Sequence, residues 1–317
     1  MIESNKFYIY KSWNDIYKVK SIWQSVCVLL VGIYVFKSHG VSVEYRAGAN
    51  TDIAKYMDAY QRDNYVDDNL KNEYRVQCDY FDDDKYIAKN NEIDAKCTSG
   101  RRGEGIFLWG DSHAQALSYG LRKTFPNVQF NQVASSGCRP QIGEDTKTSG
   151  EFKVACDRSN RKAIETAIKL NPKVIILVQR DEHDQNDFLG ILKKLRDNKV
   201  NSKVIILGPV PQWNPSLPKV IASRHFSPNE KIFVDRDFHK SLWAIDARML
   251  HDYSGTNKNV DLKYISILSQ LCKDKACLAK VDDQNTPIVW DYGHLTFKGS
   301  EYVVKNILAP HLQMYLP

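Results

Sequence analysis

Three short apolar runs constrain this chain more than any other feature. They are GIFLWG (Gly105–Gly110), KVIILV (Lys173–Val178) and KVIILG (Lys203–Gly208). Each is continuous rather than alternating, which suits a strand covered on both faces. Segments of helical period separate them. Ser112–Thr124 puts Ala114, Leu117 and Leu121 on one face. Ser159–Leu170 leads into the second run, and Phe188–Asn198 leads into the third. VQFNQV (Val128–Val133) and VDLKYIS (Val260–Ser266) add two strand candidates. Phe238–Leu250 and Gly299–Tyr315, the latter interrupted by Pro310, add helices. Strands that alternate with helices build an α/β domain around a parallel sheet.

That pattern starts near Gly103, so residues 103–317 read as the globular domain. Ahead of it, residues 37–102 are polar and read as a connecting region, helical near Ile53–Asn72. YFDDDKY (Tyr80–Tyr86) lacks the alternating ligands of a calcium loop and reads as a solvated loop. Residues 22–36, IWQSVCVLLVGIYVF, carry no charge and read as a transmembrane anchor of marginal length. The lysines of residues 1–21 make a cytoplasmic tail by the positive-inside rule. This expectation puts the folded domain on the non-cytoplasmic side of a single membrane pass.

Cysteine usage agrees with an oxidising compartment. Six of the seven cysteines follow the anchor, and none forms a CxxC pair. Neighbour pairing would give Cys78–Cys97, Cys138–Cys156 and Cys272–Cys277, one of the 15 connectivities that six cysteines allow. The net charge of +6 is spread among 38 acidic residues without a basic run, which argues against nucleic acid as a partner.

Two short motifs carry chemistry. Gly110-Asp111-Ser112-His113 stands where the first strand turns into a helix, at the carboxyl end where open α/β sheets bind ligands. A serine there has its own amide free to hold a developing oxyanion. Asp291-Tyr292-Gly293-His294 stands just before the last helix. A serine nucleophile needs a base, and the base needs a carboxylate to orient it. Asp291 and His294 are spaced to meet on one loop. Residues 209–234 hold five prolines and read as a long surface excursion, a substrate-loop candidate. Trp109, Trp213, Trp243 and Trp290 are candidates to stack on sugar rings, Trp213 first among them.

With these motifs in order, the chain resembles the SGNH/GDSL hydrolase superfamily. More narrowly, it resembles the SGNH domains attached to bacterial acyltransferase-3 membrane proteins. The narrower likeness runs through GVSVEYR (Gly40–Arg46), LWGDSHAQAL (Leu108–Leu117), SSGCRP (Ser135–Pro140), VIILVQR (Val174–Arg180), LGPVP (Leu207–Pro211) and DYGHLTFKGSEYV (Asp291–Val303). It implies a three-layer α/β/α, flavodoxin-like sheet. It implies Ser112 as nucleophile, His294 as base and Asp291 as its partner. The amides of Ser112 and Gly137 would form the oxyanion hole. The third donor, usually an Asn, would be Gln179 or Arg180 here, while His113 reads as structural. The implied activity is serine O-acyl transfer or ester hydrolysis on a cell-envelope polysaccharide. The implied partner is a separate acyltransferase-3 type membrane protein as acyl donor, with no metal and no cofactor. The alternative is a catalytically weak glycan-binding or assembly subunit.

Overall fold

The computed structural model describes residues 20–37, 50–65, 71–254 and 261–316. Most of the expected cytoplasmic tail, and Gly40–Arg46, lie outside them. The chain divides into two compact units, Met1–Asp58 and Ala59–Pro317. The described part of the first is helical, with α1 (Lys20–Lys37) and most of α2 (Thr51–Ala59).

The anchor expectation needs correction. No helix among the described residues is long and apolar enough to cross a membrane. Helix α1 covers the predicted segment, but Ser21, Gln24 and Ser25 dilute its first turns. The uninterrupted apolar stretch, Val26–Phe36, rises only about 16 Å at ~1.5 Å per residue, well short of a ~30 Å bilayer core.

In the second unit short helical turns at Arg62–Tyr65, Lys71–Tyr74 and Val76–Cys78 precede a small hairpin, β1 (Phe81–Asp82) and β2 (Ile87–Ala88). Next come β3 (Ile106–Gly110), α3 (Ser112–Thr124), β4 (Phe130–Ala134), α4 (Gly150–Leu170), β5 (Val174–Val178), α5 (Phe188–Asp197) and β6 (Lys203–Leu207). After β7 (Ile232–Phe233) follow α6 (Ser241–Ser254), β8 (Leu262–Ile265), the hairpin β9 (Cys272–Lys273) and β10 (Ala276–Leu278), and α7 (Phe297–Val303). The main sheet has the order β4-β3-β5-β6-β8, with every pair parallel. The order reverses between β3 and β5, so the carboxyl ends of these strands flank the crevice where such sheets bind ligands.

Alternate side chains face opposite sides of the sheet. Phe107, Trp109, Ile175, Leu177, Val204 and Ile206 join one core with residues of α4, α5 and α6. On the other side α3 packs against β3, β4 and β5, and α7 packs against α3. The continuous apolar runs follow from this double cover. At the C-terminus α7 passes into a wider π turn (Val304–Leu308) and then Ala309–Leu312, with Pro310 in its first turn. Pro310 has no amide hydrogen to continue a regular helix.

Three disulfides, Cys78–Cys97, Cys138–Cys156 and Cys272–Cys277, tie the unit together. The first holds the segment before β1 and the second joins the loop after β4 to α4. The third spans the β9–β10 hairpin, where its two cysteines are register partners. Cys27 on α1 is free.

Candidate active site

Ser112 stands at the first position of α3, directly beyond the carboxyl end of β3. Asp111 caps the helix and joins it to the neighbouring strand. Its Oδ1 accepts from the His113 amide at 2.8 Å, and its Oδ2 from the Arg180 amide at 2.7 Å. Burial lifts its pKa to about 6 against the pull of these two amides. Gly110 is required by close approach rather than by a turn. A Cβ there would lie 2.0 Å from the Val178 carbonyl oxygen.

The loop holding Asp291 and His294 meets Ser112 across the crevice. Asp291 Oδ1 accepts from the amides of Gly293 at 2.9 Å and His294 at 2.8 Å, closing the turn. Its Oδ2 lies 2.7 Å from His294 Nδ1. Burial opposes the Asp291 charge, but the facing His294 ring and these hydrogen bonds outweigh it and hold its pKa below the ordinary value. An ionised carboxylate can only accept, so Nδ1 donates. That leaves Nε2 as the acceptor, 2.7 Å from Ser112 Oγ. The three side chains form one hydrogen-bonded line able to withdraw a proton from the serine.

Neighbouring rings fix the histidine. Trp290 lies nearly parallel to it at 6.0 Å, and Trp290 Nε1 donates to Tyr74 Oη at 3.0 Å. His113 lies 4.5 Å from His294, ring centre to ring centre, and its Nε2 meets Tyr292 Oη at 3.1 Å. Burial first, then electrostatic coupling to the neighbouring His294 and Arg180, holds His113 well below its ordinary pKa. It is a neutral packing partner here.

Two depressions share Ser112 and Gly137 in their walls. The larger, about 490 Å³, also reaches Asp79, Phe152, Trp290, Asp291 and His294. The smaller, about 230 Å³, takes in Arg139, Lys147, Arg180 and Tyr292. Neither the Ser112 amide nor the Gly137 amide has a backbone acceptor among the described residues. Gly137 adopts φ +72°, a region that favours glycine.

The two expected third donors differ. The Gln179 carboxamide is engaged at both ends, with Nε2 donating to the Asp181 carbonyl at 2.6 Å and Oε1 accepting from Asn186 at 2.6 Å. The Arg180 guanidinium is half exposed, 4.8 Å over the Tyr292 ring, and borders the smaller depression beside Ser112.

Two sequence expectations fail here. Trp213 is 0% exposed and packs edge-on to Phe238, and Trp109 is equally buried, its Nε1 donating to Asn160 at 2.9 Å. Of the four candidate tryptophans, only Trp290 borders either depression. The excursion at 209–234 borders neither. Instead it braces the Asp291–His294 loop, the Trp213 amide donating to Tyr292 O at 2.9 Å and the Leu217 amide to Asp291 O at 3.0 Å. The residue that sequence reasoning missed is Asp79, buried in the wall of the larger depression. Its one sequence signal is its place directly after a disulfide cysteine.

A family model described as "SGNH domain (fused to AT3 domains)" matches residues 77–309. No curated protein matches the chain. Among solved structures, the periplasmic domain of a lipopolysaccharide acetyltransferase from Salmonella ser. Paratyphi A is 22% identical, with a TM-score of 0.57. That match covers 78% of this chain and 98% of that one. A candidate acylhydrolase from Bacteroides fragilis NCTC 9343 is 14% identical with a TM-score of 0.40, covering 70% of this chain and 94% of that one. The Salmonella likeness bears on the fold.

Proposed function

The chain belongs to the SGNH domain family that is fused to AT3 domains, and from that premise we propose a serine O-acyltransferase or O-acylesterase. Its substrate is an acyl group, acetyl in the simplest case, on a cell-envelope polysaccharide. The observation that carries this reading is the line Ser112 Oγ, His294 Nε2, His294 Nδ1 and Asp291 Oδ2, with a 2.7 Å contact at each gap.

In the first half-reaction Ser112 Oγ attacks the acyl carbonyl carbon and passes its proton to His294 Nε2. Asp291 stabilises the imidazolium. The amides of Ser112 and Gly137 receive the developing oxyanion, an interaction that typically supplies ~100–1,000-fold per donor. Arg180 suits the third place better than Gln179, whose carboxamide is already engaged. Collapse expels the leaving alkoxide, which takes the proton from His294. In the second half-reaction His294 deprotonates a sugar hydroxyl or a water, whose oxygen attacks the acyl carbon; the bond to Ser112 Oγ breaks and Oγ takes the proton back from His294. The same residues serve both outcomes.

The larger depression suits a sugar ring, with Trp290 and Phe152 as apolar faces and carboxylates to accept from hydroxyls. Location at the periplasmic face of the bacterial inner membrane accords with three disulfides. It also accords with the periplasmic origin of the Salmonella domain. The family's fusion to AT3 domains supports a membrane acyltransferase of that kind as the acyl donor.

Fluorophosphonate treatment of the full chain, read by intact mass, tests the reading. One adduct on the wild type and none on a folded Ser112→Ala variant is the expected result. No adduct on folded wild type would transfer the case to a glycan-binding or assembly subunit.

A further inference from the structure

Asp79 lies between Cys78 and β1, and is 2% exposed. Its Oδ1 accepts from the Phe81 amide at 2.6 Å. Its Oδ2 accepts from Gln115 Nε2 at 2.7 Å, from the Ser136 amide at 3.2 Å and from Ser136 Oγ at 3.0 Å. Gln115 sits in the first turn of α3 after Ser112, and its Nε2 also donates to the Ala134 carbonyl at 2.9 Å. One buried carboxylate thus gathers the Cys78 segment, the nucleophile helix and the loop after β4.

That loop matters because Ser136 immediately precedes Gly137. The Gly137 N–H lies in the peptide plane that Ser136 begins, and a peptide plane moves as a unit. The Asp79 contacts hold the Ser136 amide and side chain, and the Cys138 amide donating to the Ser135 carbonyl at 2.9 Å closes the turn, so together they set where the Gly137 N–H points. Tyr80 adds a second tie, its amide donating to Ser135 Oγ at 2.9 Å. Asp83 Oδ2 lies 2.8 Å from Ser136 Oγ and competes with Asp79 for the single hydroxyl hydrogen. The Ser136 amide contact is therefore the one that depends on Asp79 alone. Charged acceptors make such bonds about twice as strong as neutral ones.

We propose that Asp79 is a positioning residue for acyl chemistry at Ser112: it aims the Gly137 amide at the oxyanion. This inference rests on the acyl-serine reading above. A misplacement of ~1 Å at a reacting centre can cost about 100-fold, and total loss of one oxyanion donor costs ~100–1,000-fold. Loosening the loop belongs between no effect and that loss.

The test is the second-order rate of fluorophosphonate labelling at Ser112 in the full chain, since phosphonylation also builds negative charge on an oxygen held by these amides. It is measured beside thermal unfolding for wild type, Asp79→Ala and Asp79→Asn. We expect Asp79→Ala to label about 10–100-fold more slowly at a temperature where it is fully folded. We expect Asp79→Asn, close to isosteric and able to fold where the alanine variant fails, to slow about 3–10-fold. Its carboxamide nitrogen then faces the Gln115 donor. With an ester substrate the loss should fall on kcat and leave KM nearly unchanged. A lowered melting temperature with an unchanged labelling rate in Asp79→Asn would overturn the positioning role while leaving the acyl-serine reading intact. Absence of labelling in the wild type would overturn both.

Discussion

At the scale of single residues, this site depends on what each polar atom already touches. His294 has one ring nitrogen committed to Asp291 and the other free for Ser112. Asp291→Asn would place a carboxamide against Nδ1 and permit the wrong tautomer. The expected result is a fall in kcat of about 10,000-fold with the fold retained, measured by ester turnover and circular dichroism. A rate near wild type would show that another group orients the ring. The same accounting separates Gln179 from Arg180. The motif identifies both as neighbours of the site, but only hydrogen-bond partners reveal that the Gln179 carboxamide is occupied.

At the scale of elements, close approach of backbones sets the geometry. β3 and β5 run side by side with Gly110 opposite Val178, and the chain turns into α3 directly afterwards. Gly110→Ala would drive a methyl into the Val178 carbonyl and toward Ala114. Backbone cannot rotate away as a side chain can. We expect a loss of about 1–3 kcal/mol or more in stability, read from urea unfolding, together with slower labelling of Ser112. A neutral substitution would mean that the strands can separate there. The 209–234 segment makes a related point. Its prolines mark irregular backbone, yet Leu217, Val220 and Ile221 are fully buried and its amides hold the Asp291–His294 loop.

At the scale of the whole molecule, two buried carboxylates give the fold a pH response. Burial raises the pKa of both Asp79 and Asp111 to about 6, above the ordinary 3.8. Between about pH 4 and 6 the native state therefore binds more protons than the unfolded chain, and stability falls as pH rises through that window. Each group contributes roughly 3 kcal/mol to this change. Asp111→Asn should flatten the slope of urea-derived stability across the window. It also carries a constant penalty, because its nitrogen would face an amide donor, so the slope is the informative quantity. An unchanged slope would show that Asp111 does not titrate there.

The local sequence determined the strands and helices of the sheet, because burial on both faces demands continuous apolar runs and these occur at Ile106–Gly110, Val174–Val178 and Lys203–Leu207. It also singled out Ser112, Asp291 and His294, since a strand-end serine and an Asp-x-x-His turn are local arrangements. Element ends shifted, by three residues for α6, which begins at Ser241 rather than Phe238, and by nine for α4, which begins at Gly150 rather than Ser159. Apolarity marked α1, but its length and polar first turns, themselves sequence features, leave it short of a membrane span. Tertiary structure alone decided the rest. Aromatic content marked four tryptophans, but packing buried Trp109 and Trp213 and left Trp290 at the cleft. Asp79 was invisible because its role comes from partners 36 and 57 residues away, Gln115 and Ser136. No local pattern can encode a carboxylate whose meaning is set by which distant donors the fold brings to it.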